Sequence, residues 1–86
     1  MEKFRRLTES SSEVESLRIE RTNLSQEEFA KRCGIPRRTY IRWITGETTA
    51  KLSLEQLRAV CNELGINHIK DIPDFHPKKH ISNKNS

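Results

Sequence analysis

The sequence predicts an all-α domain, a compact bundle of four to five short helices, and three observations carry that expectation. Ser10 with Glu13, Ser25 with Glu28 and Ser53 with Gln56 each place a hydroxyl three residues before an acid or amide, the spacing of a capping box. Apolar residues follow at three- and four-residue spacing, and Gly34, Gly46 and Gly65 close the runs. No stretch alternates apolar with polar residues as a strand would, and nothing repeats at a period of about 20–50 residues.

The elements follow in order. Residues 1–9 carry Lys3, Arg5 and Arg6 without helical periodicity and read as a flexible N-terminal arm. From Ser10 a helix is expected, with Val14, Leu17 and then Arg21 on its inner face and Arg18 and Glu20 outside, ending near Thr22 and Asn23. Ser25 opens a second helix whose apolar face is Phe29, Ala30 and Cys33, and Gly34 fits the left-handed position after it. Ile35 and Pro36 open a third, with proline at the first helical position, where its missing N–H costs nothing. Tyr40 and Trp43 should face inward, and Gly46 can stop the helix. Residues 47–52 read as a loop. Leu54, Leu57, Val60, Cys61 and Leu64 then form the stripe of a fourth helix, ended by Gly65. A short fifth helix over residues 67–72 would turn Ile66, Ile69 and Ile72 to the core, and Pro73 would end it. Residues 73–86 hold two prolines and almost no apolar content, so they are expected to be a disordered C-terminal tail. The folded domain is therefore placed at residues 10–72.

At 86 residues the chain is one domain at most. A third of it is hydrophobic and a third charged, which suits a globule with a modest core. No apolar run approaches the roughly 20 residues of a membrane span, and no apolar leader is visible. The expected localisation is cytoplasmic. The net charge of +4 and pI of about 9.4 favour an anionic partner, but 12 acidic residues dilute the excess. Cys33 and Cys61 lie outside any CxxC motif and read as small core residues in a reducing compartment.

The informative segment runs from Leu24 to Gly46. Two short helices, starting at Ser25 and Pro36, are joined by a tight turn at Cys33, Gly34 and Ile35. This is helix-turn-helix spacing. The run Leu24, Ser25, Gln26, Glu27, Glu28, Phe29, Ala30, then Cys33 to Pro36, then Thr39 to Trp43, and Gly46, resembles the phage-repressor-like helix-turn-helix domains, the XRE or lambda-repressor-like family. The helix after it and its Leu64, Gly65, Ile66 ending match as well. The resemblance spans about residues 14–72. It implies double-stranded DNA as partner, read through the major groove, and a transcriptional regulator, with a repressor as the leading expectation.

Helix geometry supports that expectation. With Tyr40 and Trp43 inward, Arg37, Arg38, Ile41 and Arg42 turn outward. No acid lies between Gly34 and Glu47, whereas a helix needing only solubility would more often mix in acids. An arginine fork matches guanine O6 and N7 in the major groove, and repressor-like helices place their N-terminal residues deepest. Arg37 and Arg38 are thus the base-reading candidates. Arg42 reads a base or grips the flanking phosphate, and Ile41 is a candidate for a thymine methyl. The bound sites should hold G·C pairs at the contacted positions. By resemblance, Gln26 touches the phosphate backbone; Ser25 is more a cap than a contact. Thr39, Thr48, Thr49 and Lys51 are further backbone candidates, with solvent-exposed surface the plain alternative. Family members often pair an arginine late in the first helix with a glutamate just past the recognition-helix tryptophan. Aligned on Gln26, those positions hold Ile19 and Ile44, so an aliphatic contact is expected there. The expected core is Phe29, Ala30, Cys33, Ile35, Tyr40, Trp43, Leu57, Val60 and Leu64, with Ile19 and Ile44.

No GxxxxGK[ST] or GxGxxG loop is present, no catalytic triad has context, and His76 with His80 lacks a further ligand. No enzyme, cofactor, metal or small-molecule substrate is expected. A homodimer is expected through the last helix and the loop before it, using Ile69, Ile72 or Phe75. Two other readings stay open: an antitoxin or phage- or plasmid-borne control protein, and a protein-interaction module on the same fold.

Overall fold

The computed structural model describes residues 12–77. The expected arm at residues 1–9, Ser10, His80 and the end of the tail lie outside them. Four α-helices follow in order: α1 (Glu13–Arg21), α2 (Gln26–Arg32), α3 (Arg37–Ile44) and α4 (Leu54–Leu64), with a 3-10 turn over Ile69–Asp71 in place of the fifth helix. Among the described residues there is no strand, only an isolated antiparallel bridge between Ser12 and Pro77. The all-α expectation holds.

The capping boxes at Ser25 and Ser53 form, while the one expected at Ser10 falls on a residue outside those described. At α2 the Ser25 hydroxyl accepts from Glu28 N and the Glu28 carboxylate accepts from Ser25 N; Ser53 and Gln56 do the same at α4. Those backbone bonds hold the exposed Glu28 carboxyl below its ordinary range. At α1 the cap is Ser12, whose hydroxyl accepts from Glu15 N, while the Glu15 side chain is directed into the interior. Pro36 is the residue before α3 and not its first member. Gly34 follows α2 with φ +75°, a backbone conformation that side chains with a Cβ resist.

The core is Val14, Phe29, Ala30, Cys33, Ile35, Tyr40, Trp43, Ile44, Val60, Leu64 and Phe75. Several expectations need correction against it. Phe75 is only 4% exposed, packed edge-on against Trp43 and Tyr40 with ring centroids 5.6 and 6.0 Å apart. Residues 73–77 are thus ordered, not a disordered tail, because one aromatic side chain fills the space behind the third helix. Leu57 and Ile19 are half-buried and do not join the core. The stripe on α4 is wider than the core it faces. One edge, Val60 and Leu64, packs inward; the other, Leu54, Leu57 and Cys61, lines an open groove with Ile66, Ile69 and Ile72. Cys61 is accordingly half-buried, and Ile69 is 86% exposed where the core was expected. Burial pushes the Cys33 thiol up to about 12, with Glu63 adding to the shift, so it is not a thiolate at neutral pH.

Candidate nucleic-acid interface

The turn between α2 and α3 is built from backbone bonds. Ile35 N donates to Ala30 O at 2.9 Å and Gly34 N to Lys31 O at 3.1 Å. Gln56 uses both ends of its amide: its oxygen caps α4 and its Nε2 donates to Gly34 O at 2.9 Å. That bond ties the turn to the start of α4.

On α3, Tyr40, Trp43 and Ile44 are buried, while Arg37, Arg38 and Arg42 are exposed. Arg38 and Arg42 are four residues apart, which stacks them on the face opposite the buried side chains. Arg37 stands in the first turn. Among the described residues Arg37 and Arg38 make no ion pair. Arg42 Nε lies 3.9 Å from Glu47 Oε2, but both side chains are largely exposed, where such a pair contributes little. Ile41 departs from expectation: it is half-buried and packs against the core, so less of it faces outward. Thr39 is half-buried on the flank of α3. In the loop behind, Thr48 and Lys51 are exposed, as is Thr49.

Gln26 sits at the start of α2, and its Nε2 donates to Glu15 Oε1 at 2.7 Å. A carboxylate only accepts, so this contact fixes which end of the amide faces inward. One N–H of that Nε2 remains for another acceptor. Ser25 is occupied as a cap.

Glu15 itself escaped the sequence reading. Its carboxylate accepts from Arg18 Nε at 3.0 Å and Nη2 at 2.9 Å, from Gln26 and from the Tyr40 hydroxyl. Burial raises its pKa, but hydrogen bonds from Arg18, Tyr40 and Gln26 and the Arg18 charge more than offset this and hold it below its ordinary value. Burial, and the same carboxylate beside it, push the Tyr40 hydroxyl well above its usual range. Arg18 also donates Nη1 to Leu24 O at 2.7 Å, so it is folded inward and not outside as expected. The missing signal was available: a buried tyrosine hydroxyl needs an acceptor, and Glu15 lies three residues before an arginine on the same helix. An arginine late in α1 with a carboxylate partner is present, one position before Ile19, and its partner comes from α1. The expected Ile19 and Ile44 contact does not form part of the core, because Ile44 enters it and Ile19 does not.

A profile of the helix-turn-helix family matches residues 14–70, which runs from the first buried valine of α1 to the 3-10 turn. The chain belongs to the helix-turn-helix family. Its branch is the XRE or lambda-repressor-like one, a family of DNA-binding domains of transcriptional regulators. No curated protein and no solved structure matches the chain. Within the helix-turn-helix frame, α2 and α3 are the paired helices, and α3 carries the exposed guanidiniums. Among the described residues no group of His, Cys, Asp or Glu side chains is placed to hold a metal, and no helix is long and apolar enough to cross a membrane.

Proposed function

We propose that the protein binds double-stranded DNA sequence-specifically by laying α3 in the major groove, and acts as a transcriptional repressor by occupying its site. The observation that carries this reading is the outer face of α3: three exposed arginines, two of them stacked one turn apart, on a helix without a carboxylate. Like charges at this spacing destabilise an isolated helix by about 0.2–0.5 kcal/mol, so their clustering favours an external anion as partner. Arg37 and Arg38 read bases. Arg42 reads a base or the neighbouring phosphate, and Ile41 contributes at most a methyl contact. Gln26, Thr39, Thr48 and Lys51 position the domain on the backbone without reading sequence. Ser25 caps α2, the helix that opens with Gln26.

Binding-site selection from random duplexes tests this directly. Sites with G·C pairs at the contacted positions are expected. Arg38→Ala should relax preference at one or two positions, at about 1–3 kcal/mol for each bidentate pair lost. Gln26→Ala should weaken all sites evenly. A chain with no affinity for any duplex even at low salt would overturn the reading in favour of a protein-binding module.

A further inference from the structure

The start of α2 is held from both sides by one ion pair on α1. Arg18 donates Nη1 to the carbonyl oxygen of Leu24 at 2.7 Å, just before the Ser25 cap. Glu15 accepts from Gln26 Nε2 at 2.7 Å, just after it. The two are joined through Arg18 Nε and Nη2, at 3.0 and 2.9 Å, with Glu15 buried and Arg18 half-buried. Tyr40 donates to the other carboxylate oxygen, so the same group is also bonded to the middle of α3. Gln26 is half-buried, with its amide at the edge of this cluster. An amide nitrogen carries two donors and a carboxylate none. One Nε2 N–H is therefore taken by Glu15, and among the described residues no other acceptor meets the second.

We propose that Glu15 and Arg18 are positioning residues for the DNA-backbone contact of Gln26: Glu15 holds one amide N–H so that the other is presented to a phosphate oxygen. The proposal rests on the DNA-binding reading above and deepens it. A phosphate oxygen only accepts, as a carboxylate does, so the amide nitrogen lies between two acceptors with one N–H for each. Held in this way, the amide is not free to turn its oxygen toward the phosphate. An unheld glutamine would lose its rotamer freedom on binding; here that loss falls on folding, so binding costs less. Arg18 is part of the arrangement, because a lone carboxylate at this place would repel the phosphate that Gln26 reaches. Paired, the two carry no net charge. Glu15 and Arg18 touch no DNA themselves. They act through Gln26 and through the Leu24 carbonyl beside the cap.

The test is a double-mutant cycle on the full chain with one selected duplex, measuring Kd well below the unfolding temperature. Gln26→Ala in the parent should weaken binding about tenfold, the loss of one hydrogen bond to a charged group. The pair is then removed as Glu15→Leu with Arg18→Met. This leaves the net charge unchanged and exchanges a largely buried ion pair for apolar side chains, a replacement that folds often tolerate. In that background Gln26→Ala should cost no more than about twofold, the scatter of independent sites. Val60→Ala, a core truncation on α4, is the control for lost stability, and there the tenfold loss should persist. An equal loss in all three backgrounds would overturn the positioning role while leaving the Gln26 contact and the DNA-binding reading intact. A loss that shrinks as much in Val60→Ala as in the pair variant would overturn it too, since general loosening would then account for the effect. Should the pair variant not fold, the side-chain amide protons of Gln26 in the parent decide by NMR. The two should be well separated in shift before DNA is added, and only one should move with the duplex. Two protons with the shifts of an unheld glutamine in the free protein would overturn the proposal. No loss from Gln26→Ala in a parent that binds would overturn the positioning role alone. Failure of the full chain to bind any duplex even at low salt would overturn the parent reading and the positioning role with it.

Discussion

Glu15 is a carboxylate with its side chain 3% exposed that joins three elements at once. Arg18 holds it from its own helix, Gln26 from the start of α2 and Tyr40 from the middle of α3. Because its folded pKa is depressed, the charged form stabilises the fold above the ordinary value near 4.5, and that contribution is lost as pH falls through the lower folded value. The thermal midpoint should therefore drop in acid below pH 4.5, and Glu15→Gln should flatten that drop, which a thermal series from neutral pH downward would show. At neutral pH the same variant should lose about 3–5 kcal/mol, since it leaves the Arg18 guanidinium buried without its counter-charge. Tyr40→Phe removes a single donor to a charged group and should cost about 1.5–3 kcal/mol in denaturant unfolding. A Tyr40→Phe variant as stable as the parent would mean that the hydroxyl contributes nothing to the junction. Residues of this kind are hard to read from a sequence, because charge suggests the outside of a helix. Charge places Arg18 there for that reason, whereas the burial of Phe29, Tyr40 and Trp43 is legible from apolar character and helical spacing.

At the scale of elements, legibility followed locality. The boxes at Ser25 and Ser53 depend on residues three apart, and so does the turn at Gly34; each was visible in the string and each formed. At α1 the cap is Ser12, and the Glu15 carboxylate three residues on is bonded to Tyr40 and Gln26, partners that no local spacing reveals. The packing of residues 73–77 is hidden for the same reason. Its only large apolar anchor, Phe75, stands alone between prolines and polar residues, and its partners on α3 are more than 30 residues away in sequence. Truncating that anchor tests how far α3 depends on it. Phe75→Ala should cost about 3–5 kcal/mol, the usual range for an aromatic removed from a core. Since Trp43 lies 5.6 Å from it, Trp fluorescence should shift with the loss of this neighbour even below the unfolding transition. A cost under about 1 kcal/mol would show that residues 73–77 rest on the bundle without supporting it.

The whole molecule separates two surfaces. One bears the guanidiniums of α3 and the exposed loop behind it. The other is the apolar groove of α4 and the 3-10 turn, where Leu54 is 65% and Ile69 86% exposed, with Leu57, Cys61, Ile66 and Ile72 between them. Single exposed apolar residues need no explanation, but a continuous row does. If the domain acts on two-fold symmetric sites, with half-sites about 34–36 Å apart, a second copy meeting the first through this row is the arrangement a two-fold axis allows. Phe75 takes no part, being buried, so the contact reduces to the α4 flank and Ile69. Ile69→Lys removes the most exposed member at a surface position, and stability should stay within about 0.5 kcal/mol of the parent. Affinity for a single half-site should also be unchanged. Binding to the full symmetric site should lose its cooperativity, and sedimentation should show less self-association than the parent. Were Ile69→Lys to bind the symmetric site with the parent's cooperativity, the groove would not be where two copies meet, and the pairing would have to come from the DNA itself or from elsewhere on the surface.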